Sequence, residues 1–195
     1  MARYRWLALV AGLVLILGGL AQVEAAPKKM KVQPWEYVGT AEDCGVAGED
    51  TVEAYWVTGE GLPDAGNSNH ALYLQKLGST SNCAAAGATI TGVAGLTGTL
   101  DLGFDIRDDG HCGAGAPRFN VYTNFDTYFL GCIYGADGEA APGWTSVDFT
   151  LELGPGEVVQ GIEIVFDEGE DAGVGYAYLD NIRVYGTVMG KPGNA

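Results

Sequence analysis

The chain has 195 residues and a formal net charge of −15, with 25 acidic against 10 basic side chains. A field of that sign repels phosphate backbones and no basic stripe offsets it, which excludes nucleic acid as a partner. The length suits one domain with a sizeable core rather than two.

In chain order, the first feature is a targeting segment. Arg3 and Arg5 precede an apolar run of 16 residues from Trp6 to Ala21, and Val23 and Ala25 stand three and one before a cut after Ala25. This is the layout of a secretory signal peptide over residues 1–25. The run falls short of the ~20 residues of a spanning helix, and no later stretch is long and apolar enough to cross a membrane. No cysteine near the cut offers a lipid anchor. The expected location is therefore secreted, extracellular or periplasmic, with no membrane insertion once the signal is removed. Cys44, Cys83, Cys112 and Cys132 all follow the signal, and an even count in an exported chain reads as two disulfides. Three pairings are open. Cys112–Cys132 is favoured because the two flank neighbouring predicted strands, and Cys44–Cys83 because they bracket the first ones.

Residues 26–39, with Lys28, Lys29 and Lys31, read as a lead-in, residues 40–188 as the folded domain and residues 189–195 as a C-terminal tail. Within the domain the apolar period is 2, the period of a half-buried strand. Strands are predicted at 52–58, 70–77, 88–93, 99–107, 118–123, 128–134, 146–153, 158–166 and 175–185. Alternation is strict at 99–107, where Leu100, Leu102, Phe104 and Ile106 share one side, and at 146–153, where Val147, Phe149, Leu151 and Leu153 do. Turn clusters such as Asp108-Asp109-Gly110 and Gly154-Pro155-Gly156 separate the runs. About nine strands with one apolar face each must bury it against a second sheet, so the expected fold is all-β, a two-sheet antiparallel β-sandwich, with a barrel as the alternative.

The last strand carries an anomaly. Unbroken alternation puts Tyr176, Tyr178, Ile182 and Val184 on one face, and Asp180 then falls on that same apolar side. A buried carboxylate is costly unless it is paired, hydrogen-bonded or bound to a cation, so either a bulge turns Asp180 out or something charged meets it. The run Tyr178-Leu179-Asp180-Asn181-Ile182-Arg183-Val184 resembles the closing strand of jelly-roll carbohydrate-binding modules and related galactose-binding-like domains. Asn67-Ser68-Asn69-His70-Ala71-Leu72-Tyr73-Leu74 is similar to an early strand of the same modules. The resemblance spans most of residues 51–186 and implies a jelly-roll-like sandwich, glycan binding, and a structural Ca²⁺ held by Asp180 with acids near the start of the domain. The usual Phe-Glu-x-Gly signature is absent. Glu42, Asp43, Glu49 and Asp50 stand in its place, with Glu49 and Asp50 taken as the partners of Asp180.

A second stretch, Cys112-Gly113-Ala114-Gly115-Ala116-Pro117-Arg118-Phe119 with the later Phe129-Leu130-Gly131-Cys132, resembles a pattern in uncharacterised secreted bacterial proteins. Arg118, Asn120 and Tyr122 alternate with Phe119 and Val121, so they leave the core together and form the candidate ligand face. Arg118 would bond sugar hydroxyls, or else pair with one of the chain's many carboxylates. Phe129, Trp144 and Trp35 are further aromatic candidates, and Trp56 is read as core. The acidic run 167–171 reads as solvated charge and lacks the ligand spacing of an EF-hand.

No GxSxG, HExxH or P-loop is present, and the two histidines, His70 and His111, form no catalytic pattern. The chain is therefore read as a non-catalytic binding module for an extracellular glycan. The alternative is a structural or adhesive surface protein that contacts proteins or matrix.

Overall fold

The computed structural model describes residues 29–48, 52–64 and 68–191. The signal peptide, Glu49, Asp50 and Asn67 lie outside them. The chain forms β1 (Lys31–Val38), α1 (Ala41–Cys44), β2 (Val52–Thr58), β3 (His70–Lys76), β4 (Ala84–Thr91), β5 (Thr99–Arg107), β6 (Arg118–Thr123) and β7 (Thr127–Gly131). A single 3-10 turn, Cys132–Tyr134, follows. Then come β8 (Ala136–Ala141), β9 (Trp144–Glu152), β10 (Val159–Phe166), β11 (Tyr176–Val184) and β12 (Thr187–Met189). A five-stranded sheet runs β1-β4-β10-β6-β7; a seven-stranded sheet runs β2-β3-β11-β5-β9-β8, with β12 paired to β11. Every pairing is antiparallel. The fold is a two-sheet antiparallel β-sandwich, not a barrel.

The inner faces form one core. Leu100, Leu102, Phe104 and Ile106 of β5 meet Phe119 and Val121 of β6 and Ile162, Ile164 and Phe166 of β10, all essentially buried. Phe104 and Phe119 touch across the sheets at 5.5 Å between ring centres, and Phe149 packs on Phe119 edge-on at 6.0 Å. Full burial of such side chains is worth about 1.5–3 kcal/mol each. At one end of this layer Lys76 of β3 points inward, 1% exposed. Its ammonium donates to the carbonyls of Thr80, Asn82 and Asp167 at 3.1, 3.1 and 2.7 Å.

One expectation changes, and one open alternative is decided. Residues 31–38, read as part of a lead-in, are β1, paired with β4 over their whole length. Pro34 broke the pattern in sequence, but β1 is an edge strand, where a residue without an N–H is tolerated. Asp180 does not face the core. Leu179 lies opposite Ile106 and Asp180 opposite Asp105. The register then slips, so that Arg183 lies opposite Gly103 and Val184 opposite Leu102. Asn181 takes φ 43°, a left-handed conformation Asn tolerates, and forms the bulge. Before it, Ala177 and Leu179 point inward; after it, Ile182 and Val184 do. Tyr176, Tyr178 and Asp180 therefore share the outer face.

Candidate functional site: the outer face of the five-stranded sheet

Strand register assembles this face row by row. Trp35 of β1 lies opposite Gly87, which lies opposite Val165, then Arg118, then Gly131. The next row is Gln33, Thr89, Glu163, Asn120 and Phe129; beyond it Lys31 pairs with Thr91, and Gly161 with Tyr122 and Tyr122 with Thr127. The three residues chosen from sequence, Arg118, Asn120 and Tyr122, thus run down β6 in the middle of the face. Trp35 joins them across two strands, a neighbour that became visible only once β1 was in the sheet.

One ring rests on a glycine, and a second passes near one. A Cβ on Gly87 would run into the six-membered ring of Trp35, so the indole lies on the bare backbone of β4. At Gly161 the atom such a Cβ would meet is Cδ2 of Tyr122, at 3.7 Å. Phe129 adds a third ring, 62% exposed, at the β7 edge. Flat aromatic faces beside polar groups are what sugar rings stack on.

The polar side chains form one chain of hydrogen bonds. Arg118 donates from both terminal nitrogens to the carboxylate of Asp167 at 2.6 and 2.8 Å, to the carbonyl of Gly115 at 2.6 Å, and from Nε to Asn120 Oδ1 at 2.8 Å. Asn120 donates to the Tyr122 hydroxyl at 3.2 Å, and that hydroxyl donates to Glu163 at 3.0 Å. Thr89 donates to the other Glu163 oxygen at 3.2 Å. Burial pushes the Tyr122 phenol up, so it stays a donor. Arg118 is therefore the paired arginine of the blander sequence reading: its guanidinium holds the face in shape, and Asn120 is buried between its neighbours. The network fixes the Tyr122 ring and ties Glu163 and Thr89 into the same row.

A pocket of about 400 Å³ continues the face at one end, lined by Tyr37, Asn82, Gly115, Asp167, Glu168 and the Cys44–Cys83 disulfide, among others. Cys112 is bonded to Cys132, and no cysteine is free. The acidic run 167–171, read as solvated, is instead engaged: Asp167 by Arg118, Glu168 by His111 at 2.7 Å and Asp171 by Thr80 at 2.6 Å.

Other aromatic and concave surfaces fit less well. On the seven-stranded sheet Tyr55, Tyr73 and Tyr178 stand side by side, with ring centres 5.3 and 4.8 Å apart. Arg107 sits 3.5 Å above Tyr178, clamped by Glu60 and Asp109, so the cluster closes on itself. A depression of about 540 Å³ lies beside the β8–β9 hairpin, but Trp144 in its wall is 8% exposed and offers no ring face. Trp56 packs against the core, as its alternation implied.

Asp180 is covered by the loop before β3. The Leu62 N–H donates to its Oδ2 at 2.7 Å and the Asn181 N–H to its Oδ1 at 2.6 Å. Burial, with Asp64 and Asp105 close by, pushes its carboxyl up to about 6 against those two donors. Asp105 is held by Arg183 at 2.7 Å and by the Asn181 amide at 2.8 Å. Glu42 and Asp43 lie on α1, where Asp43 caps the turn through Thr40. Among the described residues no group of three or more His, Cys, Asp and Glu side chains is disposed to hold a metal ion.

No family model matches the chain, and no curated protein is similar to it. Among solved structures it is similar to the enzymatically active domain of tailspike protein 4 of bacteriophage CBA120, at 15% identity and TM-score 0.44, over 82% of this chain. The chain spans only 19% of that tailspike's length. It is also similar to the carbohydrate-binding module CBM27-1 of Caldicellulosiruptor saccharolyticus, solved in complex with mannohexaose, at 14% identity and TM-score 0.33. That likeness covers 77% of this chain and 95% of the module.

Proposed function

We propose that this chain is a secreted, non-catalytic module that binds a neutral glycan on the outer face of the five-stranded sheet. The observation that carries the reading is the laying of the Trp35 ring on Gly87 in the same sheet face as the hydrogen-bonded polar row of Arg118, Asn120 and Tyr122. A flat, rigid ring next to fixed donors and acceptors costs little ordering on binding, which suits a weakly hydrophobic, hydroxyl-rich ligand. The two disulfides, and the absence among the described residues of a helix long and apolar enough to span a membrane, are compatible with an extracellular setting. The test is titration calorimetry against neutral hexasaccharides, mannohexaose first. Trp35→Ala should weaken binding at least tenfold with the melting temperature little changed; unaltered affinity would move the site elsewhere.

A structural calcium is part of the same proposal. A Cβ on Gly190 would stand 2.9 Å from Asp180 Oδ1, 3.5 Å from Asn181 Oδ1 and 3.7 Å from Asp64 Oδ1, so three hard oxygens surround a spot no side chain fills. Oxygen donors of this kind suit Ca²⁺. Asp180, Asp64 and the Asn181 amide would hold it; Glu49 and Asp50, the partners inferred from sequence, lie outside the described residues. An ion that binds only the folded chain adds roughly 2.7 kcal/mol at ~100 times its dissociation constant. A chelator should then lower the melt of the wild type and leave Asp180→Asn unaffected.

The adhesive reading has its own support. Phe125, Phe129, Ile133 and Tyr134 are all more than half exposed along the β6–β7 hairpin and the turn after it, where β7 is a free sheet edge. Concentration-dependent sedimentation that disappears in Phe125→Ser would favour it.

A further inference from the structure

We propose that the pocket beyond Trp35 receives the end of the glycan, so that the module recognises a chain terminus rather than a stretch of chain interior. This rests on the binding face described above. Continuity comes first: Tyr37 and Ala85 are the next outward positions after Trp35 and Gly87 and lie opposite each other. Asp167, the partner of Arg118, lies in the pocket wall, as does Gly115, whose carbonyl accepts from the same arginine.

The pocket has side walls that the flat face lacks. Cys44 ends α1, and its bond to Cys83 ties that turn over the start of β4. Gly115 and Glu168 also line it, and Glu168 accepts from the Ala116 N–H at 3.0 Å and meets His111. A chain running from Trp35 past Tyr37 therefore enters between these two segments. The volume of about 400 Å³ lies within the ~300–1,000 Å³ of small-molecule sites.

The polar inventory points to a ligand. Among the described residues, the buried side-chain polar atoms without a hydrogen-bond partner are Trp35 Nε1, Asn82 Nδ2 and Asn82 Oδ1. All three belong to this end of the sheet. Asn82 is 8% exposed and lines the pocket. A buried amide left unpaired costs about 1–3 kcal/mol, and its adjacent donor and acceptor match a pair of neighbouring sugar hydroxyls. The wall charges are the carboxylates of Asp167 and Glu168, while the Lys76 ammonium is spent on three carbonyls. The end unit is therefore neutral, not a uronic or sialic acid.

The experiment measures affinity for hexasaccharides of mannose, glucose and xylose in three forms: unmodified, blocked at the reducing end and blocked at the non-reducing end. For the sugar that binds, one blocked form should bind at least tenfold more weakly, and Tyr37→Ala and Asn82→Asp should each erase that difference. Equal affinity for all three forms overturns the chain-end reading while leaving the face reading intact. No binding by any hexasaccharide overturns both. Tyr37 is 45% exposed, so its variant keeps the test valid if Asn82→Asp fails to fold.

Discussion

Asp180 and Arg118 are two charged residues that the fold treats in opposite ways. The Asp180 carboxyl holds its proton more tightly in the folded chain, at about 6, than at its ordinary value of 3.8. Without calcium, its contribution is fully present below about pH 4 and is lost as the pH rises through about 6. The loss is about 2 kcal/mol after allowance for solvent screening. Denaturant midpoints across that window should fall with pH in chelator and stay level in Asp180→Asn. With calcium bound the slope should reverse, because the ion favours the ionised form. Arg118 is spent on Asp167, Asn120 and Gly115. Arg118→Ala should therefore cost about 1–2 kcal/mol of stability, read by urea unfolding, before any effect on ligand. An unchanged midpoint would mean the network is not structural.

At the scale of the element, close approach decides the face. A side chain at Gly87 meets both the Trp35 ring and the carbonyl of Ile164, the latter 2.6 Å from the added carbon. Gly87→Val should cost about 1–3 kcal/mol through overpacking and abolish glycan binding together with it; retained binding would release Trp35 from the site. Strands with unbroken alternation, such as β5 and β6, were legible to the residue, and so was the outward row Arg118, Asn120 and Tyr122. β1 was not, because Pro34 and the lysines hide its period, and so the Trp35 half of the face stayed out of view. β8, Ala-Asp-Gly-Glu-Ala-Ala, is exposed along nearly its whole length and carries no apolar row to read. A bulge was legible as one of two ways out of a contradiction, and its place at Asn181 was not. Period 2 put a carboxylate in the core, and the backbone resolved it by changing parity within β11, which also sent Tyr176 and Tyr178 outward.

At the scale of the whole molecule, the disulfides close loops of 39 and 20 residues. Chain entropy assigns them about 4 and about 3 kcal/mol. Replacing Cys44 and Cys83 by serine should lower the melt the more, and should also relax the wall of the end pocket, so the preference for a free chain end weakens before overall binding does. Equal losses in both would detach that wall from the disulfide. The socket of Lys76 has a different consequence. Its stem rises from β3 in one sheet, while the carbonyls of Thr80 and Asn82 come from the approach to β4 and that of Asp167 from the chain leaving β10. The ammonium is thus satisfied only when both sheets are seated. Any opening of the sandwich at this end strips three bonds from one cation at once, so the lysine works as a latch: it is indifferent to small tremors of either sheet and intolerant of their parting.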